Sequence, residues 1–159
     1  MSFAPIADQY TRVLILGSLP GERSLAERRY YAHPQNRFWH LVGSVIDCDL
    51  VSLDYKARLA MLLDTGIGLW DTIASARREG SLDTAIRDAE HSQLAGLIHA
   101  CPRLRAVGFN GKKAWSVGAR QLTGRGLDLV ALPSSSPAYA AMPLSEKQER
   151  WNELRKFLR

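Results

Sequence analysis

Thiols are scarce in this sequence of 159 residues, with Cys48 and Cys101 the only two. They form no CxxC pattern and lie too far apart to begin a thiolate metal site or an iron-sulfur cluster, so both read as reduced core residues. The histidines, His33, His40, His91 and His99, are scattered and show no HExxH spacing. No metal site and no other cofactor is therefore predicted. No apolar run approaches the roughly 20 residues of a spanning helix, and MSFAPIADQY lacks the basic-then-apolar pattern of a secretory signal. A cytoplasmic protein without a membrane partner is the expectation. GxxxxGK[ST], GxGxxG and GxSxG are also absent, which argues against nucleotide-triphosphate, dinucleotide and serine-hydrolase chemistry.

What is present fits one domain over residues 1–159, expected to be monomeric. Hydrophobic residues make up 46% of the chain and are spread along it, so disorder is not expected. Lys and Arg number 21 against 16 Asp and Glu, a formal net charge of +5. That balance suits a polyanionic partner, although a solvated basic surface has the same composition.

Four short runs read as strands: Val13 to Gly17, Ile67 to Trp70, Leu104 to Phe109 and Leu127 to Leu132. Each is almost continuously apolar, the pattern of parallel strands covered on both faces. Helical spacing lies between them, over Phe38 to Ile46, Leu53 to Leu63, Ser92 to Ala100 and Lys112 to Leu122. A last helix carries Trp151, Leu154 and Leu158 on one face, with Ser145 and Gln148 placed as a capping box. The alternation predicts an α/β fold, a three-layer α/β/α sandwich around a central four-stranded parallel sheet. Ligands of such sheets bind outside the carboxyl ends of the strands.

All four strand exits are polar or glycine-rich. The first leads through GSLPGERS (Gly17 to Ser24) into YYAHPQNRFW (residues 30–39), the second into Asp71 and Thr72, the third into Asn110 and Gly111, and the fourth into PSSSPAYA (Pro133 to Ala140). Each alone reads as a turn, but four on one sheet edge predict a site. YYAHPQNRFW sets aromatic rings beside amide and charged groups, a mixture suited to a flat, polar, aromatic ligand. Tyr31 offers a stacking platform and Asn36 a two-way amide, with Asn110 placed to face them. Phe38 and Trp39 fall on the apolar face of the following helix and read as core. Arg37, Arg77, Arg78, Lys112 and Lys113 are placed to meet phosphates. A base flipped out of duplex DNA matches these groups. Asp71, the only acid at a strand exit, reads either as a cap or as a group orienting backbone or water.

GSLPGERSL followed by YYAHPQNRFW resembles the first signature of the uracil-DNA glycosylase superfamily, and PSSSPAYA resembles the second, a loop that enters DNA when the base leaves. GLWDTI and VGFNGKKAW, in order between them, resemble the deoxyinosine (hypoxanthine)-DNA glycosylase branch. The likeness runs from about Val13 to Leu158 and implies catalytic or base-contacting roles for Asn36 and Asn110. It also implies stacking by Tyr31, a pocket shaped by Gly17, Ser18 and Leu19 with Asp71 beside it, and DNA contact by Ser134, Ser135, Ser136, Pro137, Ala138 and Tyr139. Two departures point away from uracil. Leu19 stands where mismatch-specific relatives place a water-positioning asparagine, and the final loop lacks the histidine of many uracil-specific relatives. The implied reaction is hydrolysis of the N-glycosidic bond of a deaminated base, preferentially hypoxanthine, in double- or single-stranded DNA. No lysine stands out as a Schiff-base nucleophile, so a monofunctional enzyme is expected. A mismatch-specific uracil/thymine glycosylase, a phosphate-handling nucleotide enzyme and a non-catalytic DNA-binding domain are the alternatives.

Overall fold

The computed structural model describes residues 4–18, 22–72, 94–137 and 141–159. Four strands, β1 (Val13–Gly17), β2 (Ile67–Asp71), β3 (Ala106–Asn110) and β4 (Asp128–Leu132), form one sheet in the order β2-β1-β3-β4. All three pairings are parallel. Successive side chains of a strand face opposite sides of its sheet, and β1 illustrates the consequence. Val13 and Ile15 enter one buried cluster with Leu41, Val42, Trp151 and Leu154. Leu14 and Leu16 enter a second with Leu94, Ala114 and Leu122. Those two clusters are the interfaces of the predicted three-layer sandwich.

The helices are α1 (Glu22–Glu27), α2 (Phe38–Val45), α3 (Tyr55–Thr65), α4 (residues 94–99), α5 (Lys112–Leu122) and α6 (Leu144–Trp151), followed by a 3-10 helix at Asn152–Phe157. The side chain of Asp54 accepts from the Ala57 amide at 2.8 Å and starts α3. Gly66, at φ +88°, ends it in a left-handed conformation that costs glycine least. Among the described residues no helix is long and apolar enough to cross a membrane.

Three expectations change. The expected capping box does not form, because the N-cap of α6 is Pro143, whose side chain has no oxygen to accept a capping bond. Ser145 is therefore already inside the helix, and Gln148 instead donates to the Leu41 carbonyl at 3.0 Å, tying α6 to α2. β4 is not covered on both faces: it is an edge strand on which Asp128 and Ala131 are exposed and only Leu132 is buried. Finally, Glu22 to Ser24, read as loop, already belong to α1.

Strand order also fixes where a ligand belongs. From β1 the chain goes to β2 on one side and then to β3 on the other, so the connections diverge between β1 and β3. A crevice opens at the carboxyl ends of such neighbours. Gly17 and Asn110 are the last residues of that pair.

Candidate active site

A cavity of about 570 Å³ lies at this edge. Gly17, Ser18, Tyr31, Asn36, Asp71, Asn110, Ser134, Ser135, Ser136 and Pro137, all singled out from the sequence, line it. Leu19, Ala138 and Tyr139, together with Arg77, Arg78 and His91, lie outside the described residues. Arg37, Lys112 and Lys113 are exposed around the cavity rather than in its wall.

Tyr31 is held from three directions. Its backbone takes φ +53°, its carbonyl accepts from Trp39 Nε1 at 3.2 Å, and its ring stacks on Phe38 at 3.8 Å with the planes 7° apart. Phe38 is fully buried and braced edge-on by Trp39 and Trp151. One face of Tyr31 is thus covered by core, leaving the opposite face for a flat ligand. The Tyr31 hydroxyl titrates well above its ordinary range, first because it is buried and next because the Asp71 charge opposes a phenolate; the Asn110 hydrogen bond works the other way.

The two asparagines are held differently. Asn36 Oδ1 accepts from the Phe38 amide at 2.9 Å, which orients the side chain at the start of α2. Its Nδ2 has no partner among the described residues. Asn110 is clasped by Ser135: Nδ2 donates to Ser135 Oγ and Oδ1 accepts from the Ser135 amide, both at 2.9 Å. A longer contact of 3.4 Å runs from Asn110 Nδ2 to the Tyr31 hydroxyl. Ser135 therefore differs from its loop neighbours, being 1% exposed and turned into the protein rather than toward a DNA backbone. Its carbonyl also accepts from the Arg37 amide at 3.0 Å, joining the two signature segments directly. Pro133, at the root of the same loop, accepts from Trp151 Nε1 at 2.9 Å.

Asp71 closes the β2 side of the cavity. It is 6% exposed, and its Oδ2 is buried without a hydrogen-bond partner among the described residues. Burial pushes its carboxyl up to about 7. Of the two sequence readings, a cap is not what the described hydrogen bonds display. The absent side chain of Gly17 leaves it room: a Cβ there would stand 2.8 Å from Asp71 Oδ1 and 3.0 Å from the Tyr31 hydroxyl.

Sequence reasoning missed the α1 contribution. Glu22, Arg23 and Ser24 line the cavity, as do Tyr30 and His33. Ser24 Oγ accepts from the Ala32 amide at 3.0 Å and so steadies the turn that carries Tyr31. The only signal was the ERSL that follows the glycine-proline-glycine loop. Lys147 was also missed. It is 5% exposed beside Arg37 and the final loop, and burial followed by the Arg37 charge pulls its ammonium below the usual lysine range.

With the geometry in view, known proteins give it a context. Residues 5–155 match the family described as the Uracil DNA glycosylase superfamily. A relative from Methanosarcina barkeri named hypoxanthine DNA glycosylase is 48% identical over 112 residues, 70% of this chain and 71% of its own length. Another of that name, from Methanosarcina acetivorans, is 42% identical over 136 residues, 86% of this chain and 85% of its own. The solution NMR structure of a Methanosarcina acetivorans protein, described as a candidate uracil DNA glycosylase, is similar with a TM-score of 0.82 at 38% identity, covering 99% of this chain and 96% of that one. The family match takes in all four strand exits and the two segments that Ser135 joins, and on that evidence the chain belongs to the uracil-DNA glycosylase superfamily.

Proposed function

We propose that this protein is a monofunctional DNA glycosylase that removes hypoxanthine from DNA by hydrolysing its N-glycosidic bond, leaving an abasic site. The observation that carries this reading is the gathering of an aromatic face, two amides and a buried acid around one cavity at the sheet's carboxyl edge. The names of the two relatives favour hypoxanthine over uracil.

The transition state places positive charge on the sugar and negative charge on the departing base. Tyr31 stacks on the flipped base through its free face. Asn36 uses its unpaired Nδ2 to hold the attacking water. Asn110 offers the leaving purine the N–H whose contact with Tyr31 is long, while its bonds to Ser135 keep the amide aimed. Gly17 and Ser18 form the wall beside Asp71. Arg37, Lys112 and Lys113, with Ser134, Ser136 and Pro137 of the final loop, meet the flanking phosphates, and Ala138 and Tyr139 are the side chains proposed for the gap left in the helix.

The test is direct. Labelled duplexes carrying deoxyinosine, uracil or mismatched thymine are incubated with the protein in chelator and then treated with alkali. We expect cleavage at deoxyinosine first, at uracil more slowly, and none at deoxyadenosine, whose amino group replaces the carbonyl that an amide N–H would bond. Faster removal of uracil from a G·U pair would replace this reading by the mismatch-specific one. Turnover of free nucleotides requiring Mg²⁺ would point instead to the phosphate-handling reading.

A further inference from the structure

We propose that Asp71 is the general acid of this site, handing its carboxyl proton to N7 of the leaving purine; the proposal rests on the glycosylase reading above. As the bond between N9 and C1′ breaks, its electron pair moves into the purine. N7 takes the Asp71 proton, and the base departs neutral. Water adds to C1′, and the proton it loses restores the acid. One deoxyinosine and one water thus give one neutral hypoxanthine and one sugar hydroxyl, with Asp71 returned to its starting state.

Geometry carries the argument. Asp71 ends β2 in the cavity wall, more than nine-tenths buried, with Oδ2 unpartnered among the described residues. Its other oxygen packs against the bare Cα of Gly17, within the space that a methyl group there would fill. A buried carboxylate is costly unless it is paired, and none of the described cations neutralises this one. Arg23 of α1 lines the same cavity, but its Nε pairs with Glu27 at 2.6 Å. Among the described residues, Glu22 of α1 and Tyr30, Tyr31 and His33 of the loop before α2 line the cavity with Asp71, and its charge reaches Tyr30, Tyr31 and, on α3, Tyr55. Tyr30, Tyr31 and Tyr55 have no cationic form, and burial raises the titration of their hydroxyls, so they cannot neutralise the carboxylate. The carboxyl is thus poised near neutrality, where a proton donor is most effective.

This role also accounts for a preference among bases. A purine has an imidazole nitrogen that accepts a proton as the bond breaks, whereas uracil has none. A site lacking the histidine of uracil-specific relatives therefore acts better on the base it can protonate.

Single-turnover excision from a deoxyinosine duplex, measured between pH 5.5 and 9, tests the assignment. Wild-type rates should fall by about tenfold per pH unit above roughly 7. Asp71→Asn keeps shape and hydrogen-bonding capacity but has no proton to transfer. It should bind a duplex with uncleavable 2′-fluoro-deoxyinosine as the wild type does, lose at least about 30-fold in rate at pH 6, and show no basic limb. A variant within threefold of wild type at pH 6, or one retaining the limb, overturns the proposal. If Asp71→Asn does not fold, carbon-13 titration of the wild-type aspartates carries the test: a midpoint near 7 for Asp71 supports it, and one near 4 overturns it. Failure of the wild type to make abasic sites at any pH would instead remove the glycosylase reading itself.

Discussion

The two ends of the sheet hold cavities of nearly equal size, about 570 Å³ at the carboxyl edge and about 530 Å³ at the amino edge, yet they are built in opposite ways. At the amino edge three arginines are tied to backbone carbonyls, beside Asp47 and Asp64, although Arg155 Nε is buried without a partner among the described residues. Arg12 donates to Leu158 at 2.7 Å, Arg105 to Phe157 at 3.3 Å, and Arg155 to Ser44 at 2.6 Å. Those bonds fasten the last residues of the chain beneath β1 and β3. At the carboxyl edge amides, hydroxyls and Asp71 meet beside Glu22, Arg23 and His33, and among the described residues Asp71 Oδ2 and Asn36 Nδ2 have no hydrogen-bond partner. Cavity volume does not tell a site from a seam; the gathering of an aromatic face, amides and an acid at the strand exits does.

Breaking the carboxyl edge should cost activity. Asn110→Ala removes the contact proposed for the leaving base and both bonds to Ser135. Its single-turnover rate on deoxyinosine duplex should fall by at least about tenfold, a loss of roughly 1.4 kcal/mol or more. Asn36→Ala should lose a similar amount while folding normally. Wild-type rates in both variants would sink the assignment of the amides. Tyr31→Ala should weaken capture of the base by roughly 1 to 3 kcal/mol. Tyr31→Phe should stay within about threefold of wild type, because it keeps the ring and loses only a contact of 3.4 Å.

Breaking the amino edge should do the reverse. Arg12→Ala removes a charged donor from the Leu158 carbonyl, worth about 1.5 to 3 kcal/mol, and should lower Tm by several degrees with excision rates unchanged. A rate loss matching the stability loss would erase the contrast between the two ends.

The smallest effect sharpens the comparison through pH. The folded Asp71 carboxyl holds its proton up to about 7, against 3.8 for an ordinary aspartate. Between those values the folded state binds more protons than the unfolded one, so this residue's contribution to stability is full below about pH 4 and is lost as pH rises through about 7. Asp71→Asn should therefore melt higher than wild type at pH 8 and not at pH 4. Scanning calorimetry at the two pH values reads the difference.

How legible all this was depended on whether the governing interaction is local. β1 and β2 declare themselves in VLILG and IGLW because both strands, one interior and one at an edge, are buried at every position. LDLVAL has the same appearance, yet only Leu132 of β4 is buried, since which strands the other layers cover is decided by distant segments. The residues of the site were legible because their exits converge, whereas the clasp of Asn110 by Ser135 was not. It depends on the β3–β4 register that sets Asn110 against Leu132, three residues before the serine. The raised carboxyl of Asp71 was hidden for a similar reason: its cause is burial, which no single segment encodes.

The interior position of β1 has a consequence for the chain's biosynthesis. Ile15 pairs with Leu69 on one side and with Gly108 on the other, roughly ninety residues later. At about 5 to 20 residues per second a ribosome takes roughly 5 to 20 s to supply that second neighbour. Throughout this interval VLILG, among the most apolar segments of the protein, has one edge without its partner. A chain cut before residue 106 leaves that edge of β1 unpaired, the kind of exposed apolar edge on which other chains can pair.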